Sequence, residues 1–148
     1  MNSVFGPPTN VAVAPDQSIA LVANGMDWQQ DAGVWKPVPD NKLQVIDLKG
    51  SPPRLVHTVV VGRQPSGLAI HKSGTWGLVA NRADNSISVL RISGAKVEVT
   101  DTVQMDEQVA HVGIVPGGRR AVAVKFPGHK LALLDVTTGG KVSYANQD

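Results

Sequence analysis

The sequence contains an internal repeat with a period of 44 residues. Three blocks align without gaps: PTNVAVAPDQSIALVAN at 8–24, PSGLAIHKSGTWGLVAN at 65–81 and VAHVGIVPGGRRAVAVK at 109–125. Each is followed by a second block: NKLQVIDL, NSISVLRI and HKLALLDV, in chain order. The second blocks begin 44 residues apart, as do the first blocks of units two and three. Such a repeat predicts a row of similar supersecondary units, each packed on its neighbour.

Each unit carries short segments typical of β-strands. In unit one they are NVAVA, IALVA, LQVIDL and RLVHTVVV, separated by turn sequences such as PDQS and KGSPP. These segments are rich in β-branched residues and too short for helices. Four strands in about 40 to 50 residues is the length of one β-propeller blade. The sequence therefore predicts an all-β fold of three four-stranded antiparallel blades, an open arc of a propeller.

The distribution of apolar residues supports blades that pack face to face. The segment IALVA is apolar on both faces, so both faces must be covered. Ala12, Ala69 and Gly113 share one column of the repeat and suit an innermost strand, where blades crowd toward the axis. The segment KVEVTDTVQ at 96–104 alternates apolar and polar residues, as a half-exposed outer strand should.

The whole chain, 1–148, is predicted to be a single propeller segment. Blade 1 covers about 8–62, blade 2 about 63–106 and blade 3 about 107–148. In unit one the two blocks are 13 residues further apart than in unit two, which predicts a loop insert at 25–40 between the second and third strands. Three blades leave apolar faces exposed at both ends. Either the chain self-associates, two copies closing a six-bladed ring, or it is part of a longer propeller.

The repeat resembles the YVTN-type β-propeller repeat of bacterial surface and periplasmic propellers and of the lactonase-like superfamily. VGRQPSGLAIHKSGTWGLVAN at 61–81 and LQVIDL at 43–48 carry the likeness. Unit three departs from it, with Val109 in place of the proline and Lys125 in place of the asparagine, and Arg91 replaces a repeated aspartate. The resemblance implies a ring of six to eight blades and suggests a periplasmic or extracellular location. It does not fix the chemistry.

Composition excludes several functional classes. The net charge of +2 is small and scattered, which argues against a nucleic-acid partner. The longest apolar runs are too short to span a bilayer, and residues 1–10 lack the regions of a signal peptide. The chain has no cysteine, hence no thiol nucleophile. It also lacks nucleotide-binding loops, the serine-hydrolase elbow and local zinc motifs, so no cofactor and no metal are predicted.

Ligands of propellers usually bind in the central channel or on one face of the ring. That face is formed by the loops from an outer strand to the next inner strand and by the loops that join second and third strands. On that face the sequence offers seven candidate residues: Asn24, Asn81, Arg82, Lys125, Trp28, Trp35 and His111. The first six are candidates for ligand binding. His111 is the candidate catalytic residue because it has no counterpart in the other units.

Each candidate also has a structural interpretation. Asn24 and Asn81 are equivalent, so each amide is expected to tie down its own turn. Arg82 forms an exposed pair with Asp84 or presents its guanidinium to an anion. Trp28 and Trp35 anchor the insert or form an aromatic contact for a sugar, peptide or protein. Trp76 is expected to pack in the core or at a blade edge, and His57 and His71 are expected to be solvated.

Three functional hypotheses follow. The first is a non-catalytic binding or scaffold module that presents loops to a protein or small-molecule ligand. The second is a lactonase-like hydrolase in which His111, Arg82 and Lys125 converge on a sugar lactone. The third is a structural surface or envelope propeller. Catalysis requires those three side chains to share one pocket, whereas the binding module requires partly exposed tryptophans in the insert.

Overall fold

The computed structural model describes residues 8–144, which form twelve β-strands and a short 3₁₀ turn at Arg82–Asp84. The strands are β1 (Pro8–Val13), β2 (Ile19–Asp31), β3 (Val34–Asp47), β4 (Arg54–Val60), β5 (Pro65–Ile70), β6 (Trp76–Asn81), β7 (Ser86–Ser93), β8 (Lys96–Gln104), β9 (Val109–Ile114), β10 (Arg120–Lys125), β11 (Lys130–Val136) and β12 (Val142–Tyr144). Within residues 8–144 there is no helix long and apolar enough to cross a membrane.

The strands form three antiparallel four-stranded sheets, each in simple sequence order: β1 to β4, β5 to β8 and β9 to β12. The inner strands β1, β5 and β9 contact one another in turn, and the outer strands β4, β8 and β12 do the same. Hydroxyl groups on the inner strands link adjacent blades: Thr9 donates to the carbonyl of Pro65 at 2.8 Å and Ser66 to that of Ala110 at 2.9 Å. The predicted fold, three blades of a β-propeller, is confirmed.

Two apolar cores lie between the blades, one on each side of blade 2. The first joins Leu21 and Leu43 of blade 1 to Val79 of blade 2. The second joins Leu78 of blade 2 to Leu134 of blade 3. Consecutive residues of β6 thus enter opposite cores, because side chains alternate across a strand. Burying each such side chain stabilises the fold by about 1.5–3 kcal/mol.

The crowding of the inner strands is seen at Gly67, whereas Gly113, which lies on the inner strand β9 as expected, has open space beside it. A Cβ on Gly67 would lie 1.9 Å from Nδ1 and 2.4 Å from Cα of His111 on the next blade. A Cβ on Gly113 would meet nothing within 4 Å. The reason is position: Gly67 faces blade 3, whereas within residues 8–144 no blade follows blade 3, on which Gly113 lies. Ala12 and Ala69 are partly buried against the two cores.

The insert is a β-ribbon, where the sequence predicts a loop. Strands β2 and β3 continue past the sheet and stay paired from Met26↔Pro39 to Asp31↔Val34. Ala32 and Gly33 close the turn, both with positive φ (48° and 83°), as a tight hairpin requires. The strand register shifts at Gly25. After it, apolar Met26 and Trp28 alternate with polar Asp27 and Gln29, and such alternation favours a pair of extended strands over an irregular loop. We call residues 26–39 the ribbon.

Both ends of the arc expose apolar side chains, as expected. On blade 1 these include Val11, Val13 and Leu55, and on blade 3 they include Leu131 and Leu133. The middle blade differs, because Ser86–Leu90 of β7 is buried on both faces. The exposed residues therefore reflect a missing neighbour and not a change in strand composition.

Candidate functional site

The connecting segments 61–64, 82–85, 105–108 and 126–129 lie together, and we call this surface the loop face. Backbone hydrogen bonds join neighbouring segments: Arg82 N donates to Gln64 O at 3.0 Å, and Phe126 N donates to Gln108 O at 2.8 Å. Gln64 N also donates to Asp40 O at the base of the ribbon, at 2.6 Å. The main chain of one blade is thus fixed to that of the next, which gives the side chains of this face a rigid base.

The two candidate asparagines are buried and hydrogen-bonded within their own blades. Asn24 Nδ2 donates to Asp40 Oδ2 and, at 3.4 Å, to the carbonyl of Met26. Asn81 Nδ2 donates to the hydroxyls of Ser86 (3.1 Å) and Ser88 (2.8 Å). These contacts support the interpretation that the amides hold turns in place.

Asp40 was not recognised from the sequence as a structural residue. Its carboxylate is buried at the base of the ribbon, where it accepts hydrogen bonds from Asn24 and from the backbone N–H of Asn41 (2.7 Å). Lys42 lies 3.2 Å from it and supplies the compensating charge, which a buried carboxylate needs. Asp40 therefore fixes the direction in which the ribbon leaves blade 1.

Arg82 does not pair with Asp84, which corrects one of the two alternatives. Its guanidinium lies 4.6 Å from the centre of the Phe126 ring, and its Nε donates to Gln108 at 3.3 Å. Asp84 instead accepts from the backbone N–H and the Nε of Arg63, both at 2.7 Å. The N–H of Arg63 outweighs partial burial and holds the pKa of Asp84 below its usual range. Half-buried Arg82 thus presents one cationic edge on the loop face.

Lys125 is buried in a cluster of charged and polar groups. Its ammonium lies 3.0 Å from Asp106, 3.4 Å from Glu107 and 3.2 Å from the hydroxyl of Tyr144. Desolvation opposes the ionisation of Asp106, but hydrogen bonds from Lys125 and Tyr144 prevail and lower its pKa. Because the ammonium is fully buried, Lys125 offers no surface to a ligand in this conformation.

His111 is exposed and lies on the inner strand of blade 3 opposite Val124, next to Gly67 of blade 2. The condition for the hydrolase hypothesis was that His111, Arg82 and Lys125 share one pocket. Burial of Lys125 leaves that condition unmet. Within residues 8–144, no group of three or more His, Asp or Glu side chains could hold a metal ion.

Both tryptophans of the ribbon are exposed, Trp28 by 41% and Trp35 by 56%. Trp28 lies opposite Pro37, and Gln30 lies opposite Trp35. Opposed residues share a face, and so do alternate residues of one strand. All four therefore project from the same side of the ribbon, and the two indoles are diagonal neighbours with Cα atoms about 7–8 Å apart. From the sequence, both anchoring of the insert and contact with a ligand were possible for these two side chains.

The two sides of the ribbon differ in character. Met26 shares the side of the tryptophans by the same alternation, and we call this side the aromatic face. The other side carries the Asp31–Lys36 ion pair at 2.8 Å. Gln64 Nε2 donates to the sulfur of Met26 at 3.5 Å. Since Gln64 belongs to the loop face, the base of the aromatic face borders the loop face of blade 2.

The opposite end of the blades holds a cavity of about 860 Å³ between blades 2 and 3. His71 and Trp76 line it, with ring centroids 4.9 Å apart and planes at 18°. His71 was expected to be solvated, but it is half-buried, and a Cβ on Gly118 would lie 2.5 Å from its Nε2. Its position opposite Trp76 across the hairpin was the available signal. Trp76 packs at the blade edge as expected.

These features define the class: the chain is an arc of a β-propeller with a paired aromatic ribbon on its loop face. No protein-family model matches the chain, and no curated protein matches it in sequence. Similar solved structures support the fold. Hydrazine synthase of Kuenenia stuttgartiensis is 18% identical with a TM-score of 0.71, the match covering 99% of this chain and 38% of that one.

Two further structures share the architecture. The Swd1 β-propeller domain of Myceliophteria thermophila is 13% identical with a TM-score of 0.67, over 89% of this chain and 36% of that one. The periplasmic gluconolactonase of Pseudomonas aeruginosa is 15% identical with a TM-score of 0.65, over 98% of this chain and 54% of that one. The chain therefore spans between about a third and just over a half of these structures. Likeness at this identity establishes the fold alone.

Proposed function

We propose that this chain is a non-catalytic binding module, a propeller segment that holds a protein or small-molecule ligand against its aromatic face. The observation that carries the proposal is the exposure of Trp28 and Trp35 on one side of a ribbon whose base borders the loop face. Exposed tryptophans are costly to hydrate and are common at the centre of binding surfaces. Anchoring of the ribbon does not require them, because Asn24 and Asp40 already fix its base.

The chemistry of the surface favours a ligand with flat apolar faces and a hydroxylated rim. Two indoles at diagonal positions suit successive pyranose rings of an oligosaccharide. Gln30 shares their face, and Gln64 and Arg63 lie where the ribbon meets the loop face. These groups can donate hydrogen bonds to sugar hydroxyls. One similar structure is named a gluconolactonase, which agrees with a sugar ligand without establishing one.

The repeat itself is proposed to be of the YVTN type. The support is the sequence at 61–81 and the third-strand motif at 43–48, which correspond to β5–β6 and β3 of the structure. An exported location would follow from that assignment. Arg82 is proposed as a secondary contact, since its cationic edge is on the loop face while its ring contact with Phe126 keeps it in place.

The experiment is a titration of the purified chain with cellohexaose and with chitohexaose, followed by isothermal calorimetry. We expect one of these oligosaccharides to bind, and W28A and W35A each to weaken its binding at least tenfold. The matched control is K36A, which removes an exposed side chain from the other side of the ribbon and should leave the affinity unchanged.

A second readout separates loss of the ligand surface from loss of structure. The tryptophan variants should retain the far-ultraviolet circular dichroism of the parent chain because both side chains are exposed. If neither oligosaccharide binds at millimolar concentration, the sugar assignment is wrong. If binding occurs and survives both tryptophan substitutions, the aromatic face is not the site.

The hydrolase hypothesis receives less support from the geometry, since Lys125 is buried in its own charged cluster while His111 is exposed. The third hypothesis, a structural surface propeller, predicts that the aromatic face binds no ligand of any class.

A further inference from the structure

The cavity between blades 2 and 3 lies at the end of the blades opposite the loop face. Its volume of about 860 Å³ falls within the range of small-ligand sites, roughly 300–1,000 Å³. Both of its walls belong to blades that pack on each other through a shared core, so the cavity is independent of what adjoins the two ends of the arc. It is also separate from the aromatic face, on which the proposed function depends.

His71 and Trp76, which line this cavity, depart from the repeat. They occupy the repeat positions of Ala14 and Ile19, and in both hairpins the same backbone hydrogen bond, at 2.9 Å, joins the two positions. In blade 1, Ala14 and Ile19 are buried in the core between blades 1 and 2. Since blade 1 forms the same hairpin with small and aliphatic residues, the turn does not require the two stacked rings of blade 2, and a role at the cavity accounts for them.

Arg91 is a third departure, because the other two units have an aspartate at its position, Asp47 and Asp135. Arg91 and Trp76 are register partners on β7 and β6, so their side chains project from the same side of blade 2. That side faces blade 3, since Leu78 lies two residues after Trp76 and is part of the core between blades 2 and 3. The reversal of charge therefore places a guanidinium on the wall of the cavity.

The His71 ring is held in place from three directions. Trp76 stacks on its face, and the backbone N–H of Ser73 donates to its Nδ1 at 3.2 Å. Gly118 of blade 3 lies against its Nε2, which is buried. This part of the wall is thus fixed before a ligand arrives, which lowers the entropic cost of binding.

The walls combine positive charge with apolar surface. Arg119 lines the cavity from blade 3, so guanidinium groups of both blades border it. Within residues 8–144 none of the lining residues is acidic. Nη2 of Arg91 donates to Glu98 at 2.6 Å, which leaves most of the five N–H donors of this guanidinium for another acceptor. Val136 of blade 3 and the stacked rings of blade 2 supply the apolar surface.

We propose that this cavity binds a small organic carboxylate, whose charged group is held by Arg91 and Arg119 and whose apolar body lies against Trp76. Guanidinium groups bind carboxylates through charge-assisted hydrogen bonds, two at once where the geometry is planar. An inorganic anion would contact the arginines alone, and a neutral molecule would gain only the apolar wall. An organic carboxylate uses both, and this makes it the class of ligand that fits the cavity best.

The test uses the fluorescence of Trp76. The chain has three tryptophans, so the variant W28F/W35F keeps Trp76 as its only tryptophan and also lacks the indoles of the aromatic face. We expect at least one of phenylacetate and hexanoate to bind this variant with a saturable change in fluorescence. The uncharged phenylacetamide and hexanamide, and inorganic phosphate, should each bind at least tenfold more weakly.

Substitutions in the same background locate the site. R91Q and R119Q should each weaken binding of the carboxylate at least tenfold. The matched control is R120Q: Arg120 begins β10 and alternates with buried Ala121, so it projects from the side of blade 3 that faces away from blade 2. R120Q should leave the affinity unchanged. All three arginines are exposed, so the circular dichroism of each variant should match that of W28F/W35F.

Four results would overturn the proposal. If neither carboxylate binds at millimolar concentration, the cavity is not a carboxylate site. Equal affinity for the amides would show that the arginines do not recognise the charge, and equal affinity for phosphate would show that the apolar wall contributes nothing. Carboxylate binding that survives both R91Q and R119Q lies elsewhere on the chain. None of these results depends on the oligosaccharide titration, because the variant lacks both tryptophans of the ribbon.

Discussion

Asn81 occupies the space that a side chain at Gly62 would need. A Cβ on Gly62 would lie 2.6 Å from Cγ and from Nδ2 of Asn81. Asn81 cannot move away easily, because it is fully buried and its amide donates to Ser86 and Ser88. The glycine at the end of blade 1 is thus required by a hydrogen-bonded side chain of blade 2, and this relationship couples the two blades next to the loop face.

We predict that G62A lowers the free energy of unfolding by about 1–3 kcal/mol, as overpacking of a tight contact does. Urea denaturation gives the measurement. G117A is the matched control, because a Cβ at Gly117 would meet nothing within 4 Å. Equal stability of G62A and the parent chain would show that Asn81 can shift at little cost.

The cluster around Lys125 should respond asymmetrically to substitution. K125M removes the charge, and Asp106 and Glu107 are then carboxylates partly exposed to water. We therefore expect the free energy of unfolding to fall by less than about 2 kcal/mol, which is less than the cost of an uncompensated buried charge. The double variant D106N/E107Q removes both carboxylates from the buried ammonium. We expect it to lower the free energy of unfolding by about 3–5 kcal/mol.

Thermal unfolding compares the loss of stability in K125M with that in D106N/E107Q. D101N serves as the control because Asp101 is an exposed carboxylate on β8. If K125M proves the more damaging of the two, the ion pairs themselves stabilise the fold more than the desolvation argument allows.

The lowered pKa of Asp84 and of Asp106 predicts a pH dependence of stability. A carboxyl whose pKa is lower in the folded chain stabilises it above the unfolded pKa of about 3.9, and that contribution is lost as the pH falls through the folded pKa. The pKa of Asp84 is lowered chiefly by the N–H of Arg63. We expect the parent chain to lose stability below about pH 4, and D84N to lose less over the same interval. Urea titrations at pH 6 and pH 3 provide the comparison; parallel losses in both proteins would contradict the assignment.

Gluconolactone hydrolysis tests the enzymatic hypothesis. Because Lys125 is buried and His111 is exposed, we expect the rate with the protein present to equal the spontaneous rate. H111A and the control H57A, another exposed histidine, should both leave it unchanged. Acceleration by the parent chain that disappears in H111A alone would restore the hydrolase hypothesis.

How far the sequence determines the site can be seen from particular residues. Asn24 and Asn81 share one column of the repeat, and each amide donates within its own blade, as the structural interpretation expects, although the partners, Asp40 and Ser88, differ. The partners of Lys125 could not be found, since Asp106 is 19 residues away and Tyr144 lies on another strand. The pairing of Arg82 with Asp84 is wrong because sequence proximity does not show that the N–H of Arg63 already holds that carboxylate.

The sequence by itself determined the number of strands, their grouping into three blades and the exposure of apolar faces at both ends. Those properties depend on side-chain alternation and turn residues, which are local and repeat every 44 residues. Tertiary structure decided that the insert is a ribbon with Trp28 and Trp35 on one exposed side, that Lys125 is buried, and that His71 stacks on Trp76. These depend on which distant groups meet across blades and strands, and the energy of such contacts is set by burial and charge in the folded chain.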